Sequence, residues 1–238
     1  MAVDDRWWGL RARLHVTPWH STLDTVVISP LPHRPSPSCA DVLHEMHTQQ
    51  ERGIKRVLTT ALHQGELGPF LDAGFTIHEH LHLLNHDLSS IPEATCTVRH
   101  RRAWRRDYPE LLAVDAKAFE PFWALDQSGL VDAIRATPSN RVRVSTLDNT
   151  IVAYAVSGRS GGRGYLQRLA VDPLHHRGGI GRSLVVDSLK WLRRNGAGGV
   201  AVNTQEKNSA ALDLYLSTGF KAEPSGLSVL TMDLDDLT

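Results

Sequence analysis

The feature that most restricts how this chain can fold lies at residues 165–181, Tyr-Leu-Gln-Arg-Leu-Ala-Val-Asp-Pro-Leu-His-His-Arg-Gly-Gly-Ile-Gly. An apolar, strand-like run ends at Asp172-Pro173 and passes through a basic, glycine-rich turn. The turn opens directly into a segment, Arg182 to about Asn195, with apolar residues at helical spacing. Ile180, Leu184, Leu189 and Leu192, with Val185 and Ser188, form one stripe along it. Strand, glycine turn and helix start together hold a pyrophosphate. Unpaired backbone N–H groups face the anion, and the helix dipole adds about 0.3–1 kcal/mol per favourable charge. A Cβ in such a turn keeps the backbone away from the phosphate oxygens. The turn lacks the Lys-Ser/Thr ending of a nucleoside-triphosphate loop and the G-x-G-x-x-G spacing of a dinucleotide fold.

A second pattern follows at a fixed distance. Val202-Asn203-Thr204-Gln205 closes a short apolar run, and Asn208-Ser209-Ala210-Ala211-Leu212-Asp213-Leu214-Tyr215-Leu216-Ser217-Thr218-Gly219-Phe220 comes after it. His176-Arg177-Gly178-Gly179-Ile180-Gly181 resembles motif A of the GNAT acyl-CoA N-acyltransferases, Gln/Arg-x-x-Gly-x-Gly/Ala, with His176 as the departure. The segment from Asn208 to Phe220 resembles the family's motif B: Asn, Ala, Leu-Tyr, then Gly-Phe at a helix end. The resemblance covers roughly residues 97–238. It implies an α/β (mixed α+β) fold, a central mixed and largely antiparallel sheet flanked by helices, and acetyl-CoA as co-substrate.

The totals limit other classes. Lys+Arg and Asp+Glu both number 26, so whole-chain charge gives no argument for a nucleic-acid or membrane partner. Two cysteines, Cys39 and Cys96, are too few for a disulfide framework. No apolar run is long enough to span a bilayer, and the start, Met-Ala-Val-Asp-Asp, is not signal-like. A cytoplasmic protein is the expectation; oligomeric state is not readable. Eleven of the 13 histidines lie within the first 100 residues. His78, His80 and His82 alternate as on one face of a strand, yet no Cys or HExxH-type pattern accompanies them, and no metal is expected.

The chain repeats itself. Gly53-Ile54-Lys55-Arg56-Val57-Leu58-Thr59-Thr60-Ala61 parallels Gly196-Ala197-Gly198-Gly199-Val200-Ala201-Val202-Asn203-Thr204, and Phe70-Leu71-Asp72-Ala73-Gly74-Phe75 parallels Tyr215-Leu216-Ser217-Thr218-Gly219-Phe220. On that reading Thr25–Ile28 is the strand before a lost phosphate turn. Pro32-His33-Arg34-Pro35-Ser36-Pro37 stands where the glycine turn would be, and proline has no N–H to donate. Phe70 occupies the place of Tyr215 without its hydroxyl. The expected division is a degenerate, non-catalytic partial GNAT-like domain at 1–92 and a complete catalytic domain at 97–238, joined by the proline-bearing Ser89–Ala94. Two-halved relatives include the mycothiol synthases, but this chain is shorter and its first half more eroded.

In the second half the expected order is a strand at Thr97–His100, a helix at Tyr108–Phe119 capped by Asp107, and a helix at Asp126–Ala136. Strands at Val142–Thr146 and Ile151–Val156, joined at Asp148-Asn149, lead to the phosphate-turn unit, a strand at Val200–Thr204, the Tyr215 helix and two closing strands.

The resemblance implies site roles. His176, Arg177, Gly178, Gly179, Ile180, Gly181 and Arg182 would hold the coenzyme's pyrophosphate. Leu169, Ala170 and Val171 would splay from the next strand, pair with the pantetheine arm and polarise the thioester carbonyl. Preorganised donors of that kind are worth about 2.7–4 kcal/mol each. Asn208 would contact the arm, cap its helix, or both. Tyr215 would serve as the acid near the departing sulfur. Transfer from a tyrosine of pKa about 10 to a thiolate of about 8.5 is uphill by roughly 2 kcal/mol, so hydrogen bonding is the easier role. The strand offers Arg163, Tyr165 and Gln167 but no glutamate as base. Glu120 is the candidate base, with Asp126 as the alternative, either acting through a water, and Phe119, Trp123 and Asp126 are candidate pocket residues; surface acids beside a turn are the plainer alternative for Glu120 and Asp126.

Leaving a lysine uncharged at neutral pH costs about 4 kcal/mol, and an α-amine only about 1 kcal/mol. The missing strand glutamate therefore favours a weakly basic amine. No cysteine follows Cys96, so direct attack in a ternary complex is expected over an acyl-enzyme. The expected function is acetyl transfer from acetyl-CoA to a primary amine of a peptide, protein or small molecule. A non-enzymatic acyl-CoA-binding module stays open as the alternative. Arg99, Arg101, Arg102, Arg105 and Arg106 around Trp104 read either as a solvated face or as an anion contact.

Overall fold

A computed structural model describes residues 14–20, 22–31, 34–94 and 98–236. Cys96 and the Pro32-His33 start of the proline-rich turn lie outside the described residues. Two compact units emerge: one up to Leu81 together with the chain from Ser225, the other from His82 to Pro224.

In the first unit β1 (Leu14–Pro18) and β2 (Thr25–Pro30) form an antiparallel pair, and β2 lies parallel to β3 (Arg56–Thr59) across helix α1 (Cys39–Glu51). A short helix α2 (Gly68–Asp72) leads to β4 (Thr76–His86). Between β3 and β4 lies the last strand of the chain, β11 (Leu227–Asp233), antiparallel to both. The sequence pattern puts this strand in the second half and the junction at Ser89–Ala94. Packing decides otherwise: Leu230, Met232 and Leu234 are buried with Ile28, Met46, Val57 and Phe70 in the first unit's core.

The second unit takes up β4 from His82. Its strands are ordered β4–β9–β8–β7–β6–β5, namely β9 (Gly199–Gln205), β8 (Arg163–Val171), β7 (Thr150–Ser160), β6 (Ser139–Leu147) and β5 (Arg99–Arg102), with β10 (Lys221–Ala222) on β4. All pairs from β5 to β8 are antiparallel, and β8–β9 is parallel. The β6–β7 hairpin turns at Asp148 and Asn149, both at positive φ (47° and 64°), the turn whose twist suits a two-residue loop. Strand periodicity then sends alternate residues of β7 to opposite faces. Tyr154 and Val156 pack with Leu111, Val114 and Leu130 of helices α3 (Tyr108–Ala118) and α4 (Gln127–Arg135). Ala153 and Ala155 pack with Leu184, Val185, Leu189 and Leu192 of helix α5 (Ile180–Arg194) and with Tyr215 of helix α6 (Ser209–Ser217). The six residues of the expected α5 stripe are all buried.

One cap differs from expectation. Asp107 precedes α3, but its carboxylate accepts the Trp104 N–H at 2.7 Å and the Arg101 guanidinium at 2.6 Å. It closes the single turn Arg105–Asp107 rather than α3. Among the described residues no helix is long and apolar enough to cross a membrane.

Candidate active site

Every candidate site residue falls in the second unit. Strands β8 and β9 pair only at Arg163–Gly199, Gly164–Val200 and Tyr165–Ala201. Beyond those residues the two strands part, while β8 stays paired with β7 as far as Val171. On the β7 side the ladder skips Gln167, a one-residue bulge between Leu166 and Arg168. The Asp172 N–H then donates to the Val152 carbonyl at 2.8 Å. Alternation along an antiparallel strand therefore turns the backbone groups of Ala170 toward β7, and those of Leu169 and Val171 toward the gap. The Val171 carbonyl is taken by His176 Nε2 at 3.0 Å. The Leu169 and Val171 amides are left facing the opening.

The gap leads to the glycine turn. Asp172 caps the short helical turn Pro173–His175 by accepting the Leu174 N–H at 3.0 Å, and it accepts Lys117 Nζ of α3 at 2.7 Å. The lysine contact holds the Asp172 carboxyl below the usual carboxylate range. Arg177 and Gly179 both take positive φ (62° and 76°). Gly179 occupies the cap position of α5, and no side chain caps this helix. The first bond inside it runs from the Ser183 N–H to the Gly179 carbonyl, so the amides from Gly179 to Arg182 have no intrahelical acceptor. By contrast, α1, α4 and α6 are closed by Ser38, Asp126 and Asn208. Gly181 sets the approach of α5: a Cβ there would lie 3.3 Å from Leu214 of α6 and 3.6 Å from Val171. Arg182 reaches across to the Ser217 carbonyl at 2.9 Å, tying α5 to the end of α6.

Tyr215 is buried on α6, its ring 5.6 Å from that of Phe220. Burial pushes its phenol well above the ordinary value, and the Arg168 guanidinium offsets part of that rise. The hydroxyl thus stays protonated, a donor at all working pH values. Asn208 Oδ1 accepts the Ala211 N–H at 3.0 Å, the plain capping role.

The acceptor-side residues lie on the segment joining α3 to α4. Phe119 and Trp123 are half-buried there. Glu120 is exposed and paired with Lys207 at 3.3 Å, on the segment joining β9 to α6. Asp126 is committed to α4, accepting the Gly129 N–H and the Ser128 hydroxyl, each at 2.8 Å.

Sequence reasoning missed the group beneath this segment. Asp115 is fully buried on α3 and receives Arg168 of β8 through two bonds, at 2.8 and 2.6 Å. The signal was a carboxylate on the apolar stripe of α3, four residues after Leu111 and next to Val114. Its partner is 53 residues away, beyond any local pattern. Among the described residues no cluster of metal-ligating side chains occurs.

Residues 98–220, more than half of the chain, match the family model for the acetyltransferase (GNAT) family. The chain belongs to the GNAT acetyltransferases. It is an acyltransferase of acyl-CoA-dependent, N-acetyltransferase type. No curated protein matches the sequence. Among solved structures, a GCN5-related N-acetyltransferase from Sphaerobacter thermophilus is 13% identical with a TM-score of 0.65, over 93% of this chain and 76% of that one. One from Kribbella flavida is 16% identical with a TM-score of 0.64, over 96% and 92%. A tandem GNAT protein from the clavulanic acid biosynthesis pathway is 12% identical with a TM-score of 0.64, over 89% and 75%. At these identities the likeness is one of fold, and it extends over both halves of this GNAT chain.

Proposed function

We propose that this GNAT enzyme transfers the acetyl group of acetyl-CoA to a primary amine, an α-amine of a peptide or protein or the amine of a small molecule, by direct attack in a ternary complex. One observation carries the reading: the β8–β9 gap, with Leu169 and Val171 amides turned into it, runs straight to the uncapped start of α5.

The coenzyme supplies an activated acyl group on sulfur. The segment from His176 to Arg182 holds its pyrophosphate. The donors are backbone amides at the head of α5, with Arg177 adding positive charge and Gly178, Gly179 and Gly181 leaving room. Ala170 turns its backbone to β7, so it shapes the strand without binding. Leu169 donates its N–H to the thioester carbonyl oxygen, and the Val171 N–H is available to the pantetheine arm. Asn208 caps α6 through Oδ1 and has Nδ2 free for an amide of that arm. Nitrogen attacks the carbonyl carbon, the C–S bond breaks, and the sulfur leaves as thiolate. Tyr215 stabilises it as a hydrogen-bond donor. The attacking nitrogen loses its proton to water at Glu120, which is paired with Lys207 on the segment joining β9 to α6. Phe119 and Trp123 shape the acceptor side, and Asp126 sets its far end by capping α4.

The test pairs calorimetry of acetyl-CoA, ATP and NAD with thiol release against an unblocked alanine hexapeptide, spermidine and glucosamine. Binding of acetyl-CoA alone, with thiol release driven by at least one amine, is expected. Tight binding of ATP or NAD in preference to acetyl-CoA contradicts the proposal.

A further inference from the structure

The segment 119–126 is short of regular structure, yet it is fastened at three points. The Arg168 guanidinium carbon lies 3.4 Å from the Phe119 ring centroid, at the start. Arg168 Nη2 donates to the Trp123 carbonyl at 2.8 Å, in the middle. Asp115 Oδ1 accepts the Leu125 N–H at 2.7 Å, near the end. Asp115 also accepts the Tyr154 hydroxyl at 2.5 Å besides both nitrogens of Arg168. Four donors thus converge on its two oxygens, which fills the carboxylate.

As a stability device this arrangement is a poor choice. A buried ion pair is often matched or exceeded by apolar residues of the same volume. What an apolar pair lacks is a set of directional bonds to the backbone of 119–126, together with a planar cation to lie on Phe119. Arg168 is also the residue before Leu169, whose amide faces the gap.

We propose that Arg168 and Asp115 are positioning residues that fix segment 119–126 against β8 and thereby set the affinity for the amine acceptor, leaving coenzyme binding unchanged. The inference rests on the acetyl-transfer reading above. Neither residue touches the acceptor; both act through Phe119, Trp123 and Leu125.

The full chain is compared with Arg168→Lys, which keeps the charge but loses the fork, and with the paired variant Asp115→Leu/Arg168→Met, which keeps the volume. Four quantities are read: amide exchange in 119–126, acetyl-CoA affinity by calorimetry, and kcat and KM for the unblocked alanine hexapeptide. In both variants exchange in 119–126 rises and acceptor KM rises about tenfold, about 1.4 kcal/mol, while coenzyme affinity stays within about twofold. Native-like exchange in the paired variant, or an unchanged acceptor KM, overturns the inference. So does native behaviour of Arg168→Lys, which would reduce the pair to a plain charge. Should the paired variant fail to fold, Arg168→Lys decides alone. A native chain that binds no acetyl-CoA overturns the functional reading and the acceptor role with it, whereas acetyl-CoA binding with native-like exchange in 119–126 overturns the positioning role alone.

Discussion

Helices α1 and α5 each follow a strand and a turn, and they begin in opposite ways. At α1 the Ser38 hydroxyl accepts the Asp41 N–H at 3.2 Å, and the Asp41 carboxylate accepts the Ser38 N–H at 2.8 Å. The helix thus carries its own anion at the spot where α5 presents open amides. Elsewhere the halves agree closely. Gly74 and Gly219 take φ of 98° and 97°, and Gly53 and Gly196 take 81° and 78°. The N–H of Phe75 donates to Phe70 at 3.0 Å, and that of Phe220 to Tyr215 at 3.1 Å. Both ring pairs, Phe70–Phe75 and Tyr215–Phe220, are 5.6 Å apart. The two halves share the geometry of their helix ends and differ in how α1 and α5 begin. A fold of this kind survives by packing and capping, whereas anion binding survives only if one helix end is left unsatisfied.

The contrast has measurable consequences. The largest belongs to Gly179, where a β-branched residue must adopt positive φ in the turn itself. Gly179→Val is expected to weaken acetyl-CoA binding at least about 100-fold by calorimetry, or about 2.7 kcal/mol. Next comes Tyr215→Phe, with kcat reduced about tenfold to 100-fold and coenzyme affinity within about twofold. Equal turnover in that variant would remove Tyr215 from the chemistry. The reverse change in the other half, Phe70→Tyr, places a hydroxyl at a site with 0% exposure. It should cost about 1–3 kcal/mol of stability in denaturant titration and leave turnover untouched. A gain of activity there would show that the first half retains a usable site. Ser38→Ala removes a cap worth about 1 kcal/mol, visible as a drop of a few degrees in Tm with no change in coenzyme affinity or stoichiometry.

The smallest effect is one of pH. His86 and His100 are held below the ordinary histidine range, chiefly because burial disfavours the charged ring. The unfolded chain therefore binds more protons than the folded one as pH falls through that range, and stability declines. Above it both rings are neutral in both states and the effect vanishes. His100 Nδ1 meets the Ser145 hydroxyl at 2.9 Å and Nε2 meets that of Ser183 at 2.6 Å, with Arg141, Arg143 and Asp187 nearby. His100→Gln should flatten the fall of Tm between pH 7 and 5. A slope identical to that of the native chain would assign the effect to other groups.

Much of the second half was legible because its signals are local. Glycines at the turn, the α5 stripe and the Asn208–Phe220 pattern each lie within about four helical turns, where backbone rules act directly. The hairpin at Asp148-Asn149 was equally plain, although β6 and β7 extend well past the expected ends. Two things were hidden. The sequence of β11 marks a closing strand but not its neighbours, and its place between β3 and β4 follows from Leu230 and Met232 filling the first unit's core. The parting of β8 from β9 beyond Tyr165 was expected from the family resemblance, though no residue pattern in either strand announces it. Asp115–Arg168 joins two segments whose patterns, read separately, give only a helix and a strand. Asp126 and Glu120 show the converse: two acids at a turn look alike in sequence, yet one caps a helix and the other pairs with Lys207 at the surface.

The central claim is that acetyl-CoA meets the open helix end at α5 and not its closed counterpart at α1. Backbone amide resonances of the full chain, followed during titration with acetyl-CoA, test it most directly. The amides of Gly179, Ile180, Gly181 and Arg182 should shift and become protected from exchange, while those of Ala40, Asp41 and Val42 stay unchanged. Shifts centred on Ala40–Val42, or saturation by acetyl-CoA with no response from Gly179–Arg182, would contradict it.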